Sequence, residues 1–106
     1  MVRRGEIWLV TLDPTVGSEI RKARPCVVVS PAEMHDHLHT VIVAPMKTKG
    51  RTAPFRVDVT HGGKKGLILL DQMRAVDKLR LAKKVGAVSA KTLTSTLSTL
   101  QEVFTE

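Results

Sequence analysis

The sequence predicts a mainly β fold, a small barrel covered by one C-terminal α-helix. Short apolar runs rich in β-branched residues recur along the chain, separated by Pro, Gly and charged residues. One stretch with helical periodicity lies at the C-terminal end. The chain has 106 residues, the size of one domain, so we expect a single domain over residues 1–106.

The first half of the chain contains three predicted strands, each followed by a turn or a proline. They cover residues 6–12, 25–30 and 40–44. The segment 14–24 carries mixed charges without a helical period, so we expect a mobile polar loop. We also expect a loop over residues 32–39 and a turn over residues 45–51.

The second half of the chain predicts three more strands and the helix. Residues 55–59 alternate apolar with charged side chains, which is typical of a strand with one exposed face. After a glycine-rich turn, one long strand is expected over 66–76 and a short one over 85–88. Ser89 is a favourable N-cap for the helix. The helix has an apolar stripe, which we expect to pack on the sheet; the alternative is that it binds a partner. The stripe consists of Leu93, Leu97, Leu100 and Phe104.

The composition carries an excess of positive charge. Seventeen Lys and Arg against ten Asp and Glu give a net charge of +7 and an isoelectric point of about 10.1. This favours a polyanionic partner, because fixed cations displace the counterions condensed on phosphates. The alternative is a merely soluble basic surface.

The sequence predicts a soluble cytoplasmic protein that does not bind membranes. Residues 1–6 contain an acid and no long apolar stretch follows, unlike a signal peptide. No window approaches the ~18 apolar residues of a membrane span, and no long basic amphipathic helix is present. The lone Cys26 lies in an apolar run and is expected to be buried rather than to bind zinc.

Two polar segments beside predicted strands carry the candidate site. Arg24 precedes a strand, its backbone is restricted by Pro25, and its guanidinium can bind a phosphate through two hydrogen bonds. The segment 47–52 offers three cations and two hydroxyls at the end of another strand. Together they predict a groove for a sugar–phosphate backbone. The alternative is two solvated basic loops.

RNA cleavage through the 2′-hydroxyl needs a proton acceptor, a proton donor and a charge on the phosphorane. Arg24 would supply the charge, and Glu19 is a candidate base. The four histidines lie away from the basic segments in sequence, so the proton-transfer roles stay open. The few residues that could stack on a base are Trp8, Met46 and Phe55.

A histidine-rich segment suggests a metal site. If it were extended, alternation would place His35, His37 and His39 on one side. No carboxylate or cysteine completes such a site convincingly, so we expect a solvated loop and no metal or cofactor.

Six blocks of the sequence resemble the toxins of the MazF/PemK family, in order and with similar spacing over nearly the whole chain. The first three are the most specific. The blocks are Arg4–Trp8, Leu12–Glu19, Arg24–Pro31, Val43–Thr48, Pro54–Phe55 and Gly66–Arg74.

The resemblance implies an SH3-like β-barrel of the PemK/CcdB-like type with a C-terminal α-helix, and a homodimer. It implies metal-independent, sequence-specific cleavage of single-stranded RNA that leaves a 5′-hydroxyl and a 2′,3′-cyclic phosphate or 3′-phosphate. It also implies a cognate antitoxin whose acidic, disordered tail would suit the +7 charge.

The resemblance assigns the catalytic arginine to Arg24 and a loop glutamate to Glu19. Gln72 and Arg74 are expected at the RNA groove and the dimer face. The further side chains expected to bind RNA are Lys22, Lys49 and Arg51.

The catalytic threonine of the family does not fall on a threonine when the chain is counted without gaps. It falls on Lys47, and Thr48 follows one residue later. Since successive strand residues face opposite ways, the shift matters. We expect Thr48 to act, with Lys47 as a cation at the phosphate.

Two other functions suit a small basic barrel. One is a CcdB-like toxin that poisons DNA gyrase, which would not require Arg24-Pro25 or the Lys47-Thr48 segment. The other is a non-catalytic nucleic-acid-binding module, which would bind with strong salt dependence and cut nothing.

Overall fold

A computed structural model describes residues 1–12 and 23–106. Within these residues the chain forms seven strands, two α-helices and two 3₁₀ turns, at Leu70–Gln72 and Lys78–Arg80. The strands are β1 (Glu6–Thr11), β2 (Ala23–Val28), β3 (Thr40–Lys47), β4 (Arg56–His61), β5 (Lys64–Leu69), β6 (Arg74–Asp77) and β7 (Leu81–Ala87). The helices are α1 (Ala32–His37) and α2 (Ala90–Val103).

The strands form one curled antiparallel sheet in the order β4-β5-β3-β2-β1-β7. The sixth strand, β6, pairs with β3 on the same edge as β5. The predicted mainly β fold with a C-terminal helix is confirmed. Among the described residues, no helix is long and apolar enough to cross a membrane.

The long strand predicted over residues 66–76 is wrong, because a 3₁₀ turn divides it into β5 and β6. Val43 of β3 pairs with Arg74, and an unbroken ladder would then pair Met46 with Asp71. Met46 instead pairs with Ile68, three residues earlier. The three residues of the turn, beginning with the buried Leu70, absorb this shift in register.

The loop predicted over residues 32–39 is also wrong, because residues 32–37 form helix α1. Its N-cap is Pro31, which provides no side-chain cap. Side-chain hydrogen bonds hold this helix instead: His35 bonds the nearby Ser30 Oγ through Nε2 at 2.6 Å, and the distant Lys78 Nζ donates to the His35 carbonyl. A helix of six residues depends on such contacts, since it is too short to be stable alone.

The strand ends also differ from prediction near the site. β2 begins at Ala23, so Arg24 lies inside the strand, and β3 runs on to Lys47. Pairing explains both extensions: Arg24 is paired with Val10 of β1, and Lys47 with Leu67 of β5. The last strand likewise begins at Leu81, earlier than expected.

Two apolar clusters lie on opposite faces of the β1–β2–β3 sheet. The helix-side cluster includes Ile7, Val27, Ala44 and Ile68, and α2 packs against it through Leu100. The far cluster contains Val10, Cys26, Val28, Val41, Val43 and Val76, so the expected burial of Cys26 is confirmed.

Helix α2 begins as predicted, with the Ser89 side chain accepting a hydrogen bond from Thr92 N. The residue it buries completely is Thr96, whose hydroxyl donates to the Thr92 carbonyl at 2.8 Å. This internal bond satisfies the hydroxyl and allows its burial. Phe104, placed in the apolar stripe from the sequence, is 72% exposed because the helix ends one residue before it.

Candidate functional site

Arg24 and Lys47 meet at one end of the sheet, where β2 begins and β3 ends. The two strands are antiparallel, with Cys26 opposite Pro45. Continuing this register by two residues brings Arg24 level with Lys47. Because residues level on adjacent antiparallel strands share a face, these two cations lie on the same face. Both side chains are exposed.

A third cation lies on this face. Arg74 pairs with Val43 of β3, a residue of the far cluster. Burial raises the pKa of the Cys26 thiol to about 12, although the nearby guanidinium groups of Arg24 and Arg74 favour the thiolate. Both guanidinium groups are therefore close enough to act on the Cys26 sulfur. We call Arg24, Lys47 and Arg74 the cationic face.

Thr48 lies in a pocket on the other face of the sheet. Its backbone follows Met46 and Lys47 out of β3, and a pocket of about 130 Å³ opens there. We call this the His61 pocket. It is lined by Pro25, Met46, Lys47, Thr48, Val59, His61, Lys64 and Gly66.

Two glycines shape the His61 pocket. A Cβ atom at Gly66 of β5 would lie 2.6 Å from the Lys47 carbonyl oxygen, so only glycine lets β5 approach the Lys47-Thr48 corner this closely. A Cβ atom at Gly86 of β7 would lie 3.1 Å from His61 Cε1. The imidazole is therefore packed on the bare backbone of β7, which fixes its position.

Lys49 and Arg51 are exposed in the segment that follows β3. The guanidinium of Arg56 holds this segment, because its Nη1 donates to the Arg51 carbonyl at 3.0 Å. The same guanidinium donates from Nε and Nη2 to the two oxygens of Asp71, at 3.1 and 3.2 Å. Hydrogen bonding from Arg56 lowers the pKa of Asp71. Gln72 follows Asp71 and is exposed.

Two predicted site residues, Glu19 and Lys22, lie outside the described residues. Of the others, Arg24, Lys47 and Arg74 share the cationic face, and Thr48 lies in the adjoining pocket. Arg51 accepts a hydrogen bond from Arg56 through its carbonyl, Gln72 follows Asp71, and Lys49 is exposed in the same segment as Arg51.

The three histidines of the suggested metal site are not brought together on an extended segment. His35 is 2% exposed, and its Nδ1 is hydrogen-bonded to the Val2 carbonyl at 3.0 Å. His37 and His39 are exposed. Within residues 1–12 and 23–106 no group of three or more His, Cys, Asp or Glu side chains is placed to hold a metal ion.

The candidate base-stacking residues differ in their surroundings. Trp8 is half-buried, with its Nε1 donating to Glu6 Oε1 at 3.2 Å. Phe55 is 39% exposed, and Met46 lines the His61 pocket.

The sequence reasoning missed His61 and Arg56. In the sequence His61 lies 13 residues after Thr48, but the β4–β5 hairpin folds it against the end of β3. The available signal was the Gly62-Gly63 pair between two apolar runs, which predicts a tight hairpin. Arg56 was assigned only to the exposed face of a strand, and nothing local predicts its partner Asp71.

The arrangement suits a phosphodiester chain. Fixed guanidinium and ammonium groups on one face can neutralise a phosphate, and they stabilise charge that develops on it. The His61 pocket, which contains the Thr48 hydroxyl and the His61 imidazole, borders the cationic face at Lys47. No buried polar side-chain atom among the described residues lacks a hydrogen-bond partner.

Comparisons with known proteins agree with this reading. A family model described as PemK-like, MazF-like toxin of type II toxin-antitoxin system matches residues 3–104. The chain is 36% identical over 110 residues to the endoribonuclease PemK of Escherichia coli, covering 98% of this chain and 83% of that protein.

Solved structures are similar in fold. The crystal structure of MazF from Deinococcus radiodurans has a TM-score of 0.78 at 24% identity, covering 96% of this chain and 94% of that one. An endoribonuclease from a mycobacterial species, solved with its cognate antitoxin, has a TM-score of 0.78 at 21% identity, covering 96% and 93%.

Proposed function

Because the chain belongs to the family of PemK-like, MazF-like toxins of type II toxin–antitoxin systems, we propose that it is a sequence-specific endoribonuclease that cuts single-stranded RNA. The observation that carries this proposal is the cationic face, in which Arg24 is exposed and level with Lys47. The backbone of Arg24 is held by pairing with Val10 of β1, and a positive charge placed in advance at the phosphate stabilises the transition state without reorganising during the reaction.

The reaction we propose uses the substrate's own 2′-hydroxyl. The oxygen of that hydroxyl attacks the adjacent phosphorus and loses its proton to a base, while the bond to the 5′-oxygen of the next nucleotide breaks and that oxygen gains a proton. The products are a 2′,3′-cyclic phosphate, which water can open to a 3′-phosphate, and a 5′-hydroxyl. This route requires no metal or cofactor, because the nucleophile is supplied internally.

Arg24 and Lys47 would bind the scissile phosphate and stabilise the charge of the phosphorane. The β2–β3 register favours Lys47 as the partner of Arg24, since it brings Lys47, and not Thr48, level with Arg24. Thr48 stays the candidate for the family threonine, as a hydrogen-bond donor to the same nucleotide. Glu19 stays a candidate base. Further RNA contacts are proposed for Lys22, Lys49, Arg51, Gln72 and Arg74.

The partners and setting follow from the same family membership. We propose a homodimer built from one domain over residues 1–106, working in the cytoplasm where its RNA substrate is found. The net charge of +7 suits a cognate antitoxin with an acidic disordered tail, which would cover the cations when it folds onto the toxin. The support from a solved structure of similar fold is that it shows an endoribonuclease in complex with its cognate antitoxin.

The test is cleavage of a mixed-sequence single-stranded RNA by the purified protein in EDTA, with the ends of the fragments mapped. We expect cuts at a restricted set of sequences, with 5′-hydroxyl ends and cyclic or 3′-phosphates, and little cutting of the same RNA in a duplex. Intact RNA from folded protein, together with inhibition of DNA supercoiling, would favour a gyrase poison instead. Salt-sensitive binding without cutting would indicate a plain nucleic-acid-binding module.

A further inference from the structure

The His61 pocket has the size and walls of a site for one flat ring. Its volume of about 130 Å³ is well below the roughly 300–1,000 Å³ of pockets that hold drug-sized ligands. Pro25, Met46 and Val59 supply apolar wall, and the imidazole of His61 supplies a planar face. Every nucleobase has a π-face that stacks on such groups.

The polar groups of the pocket suit the edge of a base. Thr48 offers a hydroxyl that donates and accepts, and Lys64 offers an ammonium group beside it. His61 can donate from one ring nitrogen and accept at the other. Sequence-specific recognition of single-stranded RNA uses this combination, a splayed base that is stacked on one group and hydrogen-bonded at its edge.

The pocket is placed to receive a base whose phosphate is on the cationic face. Arg24 and Pro25 are consecutive residues, with Cα atoms about 3.8 Å apart. Their side chains point to opposite faces of β2, so one borders the phosphate site and the other the pocket. At the end of β3, Lys47 is level with Arg24 and also lines the pocket, and Thr48, the first residue after the strand, lines the pocket as well.

We propose that the His61 pocket binds one nucleobase next to the cut, and that His61 sets the base preference at that position. This rests on the proposed RNA substrate. His61 stacks on the base and bonds its edge, Thr48 and Lys64 complete the edge contacts, and Gly86 keeps the imidazole in place. The single preferred base is the one whose edge matches this set of donors and acceptors.

The first test is independent of cleavage. The full-length protein is titrated with each of the four nucleoside 5′-monophosphates, and with ribose 5-phosphate, while the amide resonances of Thr48 and Gly66 are followed by NMR. From these shifts we expect one monophosphate to bind at least about tenfold more tightly than ribose 5-phosphate, and we expect His61→Ala to abolish that difference in affinity. Equal shifts by ribose 5-phosphate, or an unchanged preference in His61→Ala, would overturn the proposal.

The second test measures the base preference at each position beside the cut during cleavage of a random single-stranded RNA pool. We expect His61→Ala to lose the preference at one position beside the cut, and His61→Phe, which keeps a stacking ring, to retain binding but change the preferred base. His37→Ala is the matched control, since that histidine is exposed on α1. A uniform drop at all sequences, with the preference intact, would show that His61 does not read a base.

The two tests separate the failure of this proposal from that of the proposed function. If the wild-type protein cuts no RNA, the proposed function fails, and the monophosphate titration still decides whether the pocket binds a base. If the wild-type protein cuts RNA and the His61 variants keep its preference, the pocket proposal alone fails.

Discussion

At the scale of single residues, Lys47 and Thr48 show how one step along a strand separates two roles. Lys47 is paired within β3 and shares a face with Arg24, while Thr48 leaves the strand and lines the His61 pocket. The resemblance to the family leaves open whether Lys47 or Thr48 takes the place of the family's catalytic threonine. The register favours Lys47 as the phosphate contact, because alternation places it on the face of Arg24.

This division predicts different salt dependences for the two substitutions. Lys47→Ala should reduce the slope of log Kd for single-stranded RNA against log salt by about 0.7, the value for one lost phosphate contact. Thr48→Val, which removes a hydroxyl and no charge, should leave the slope unchanged and weaken binding by the same factor at every salt concentration. Lys91→Ala, which removes an exposed charge on α2, is the control for net charge. A changed slope in Thr48→Val with none in Lys47→Ala would reverse the two assignments.

Glu6 is a buried carboxylate at the start of β1. Its Oε2 is 2.8 Å from Lys84 Nζ, and its Oε1 accepts from Arg3 N at 2.7 Å and from Trp8 Nε1. Desolvation by burial would raise the pKa of Glu6, but the hydrogen bonds from Lys84, Arg3 and Trp8 outweigh it, so the pKa is lowered. Folding therefore favours the ionised carboxylate.

A lowered folded-state pKa gives stability that is present above the unfolded-state pKa of about 4.3 and is lost as the pH falls through the folded value. The free energy of unfolding of the wild type should drop between about pH 5 and pH 3 more steeply than that of Glu6→Gln. Urea unfolding across that range measures it. Parallel curves for the two proteins would show that Glu6 makes no such contribution.

At the scale of secondary-structure elements, the contact between β3 and β5 builds the candidate site. β5 reaches the Lys47-Thr48 corner only because Gly66 has no side chain. The β4–β5 hairpin then places His61 and Lys64 beside Thr48. An extra methyl at this point must push the two strands apart and misplace the corner.

Gly66→Ala should therefore lower the rate of RNA cleavage by on the order of 10- to 100-fold, since small displacements of reacting groups are costly. Gly50→Ala is the matched substitution. The nearest atom to its Cβ would be Arg56 Nη1 at 3.7 Å, an ordinary contact, so its cleavage rate should stay within about twofold of wild type. Circular dichroism and thermal unfolding of both variants separate a local shift from global unfolding. Wild-type cleavage by Gly66→Ala would show that the close contact is dispensable.

At the scale of the whole molecule, local sequence patterns predict where the strands and helices lie better than they predict the contacts between them. The β-branched runs predict most of the strands, and Ser89 predicts the start of α2, because pairing propensity and capping are local. Helix α1 could not be predicted in this way. Its cap is a proline, and the bonds from His35 to the Val2 carbonyl and from Lys78 to the His35 carbonyl join segments that are distant in sequence.

The candidate site likewise has one part that local sequence predicts and another that it does not. Arg24 is identified by its position beside Pro25, and the net charge indicates a polyanion. The level position of Arg24 and Lys47 depends on strand register, and the place of His61 in the pocket depends on a hairpin folding over β3. Register is a property of the assembled sheet, which no short segment of the sequence specifies.

The most direct test is the single-turnover rate of RNA cleavage by Arg24→Ala. Losing a fixed charge at the phosphorane should cost about 2–4 kcal/mol, a decrease of roughly 30- to 1,000-fold in rate. Arg3→Ala, which removes an exposed arginine at the N-terminus, should cleave at nearly the wild-type rate. If Arg24→Ala folds normally and cleaves as fast as Arg3→Ala, the catalytic role of Arg24 is contradicted.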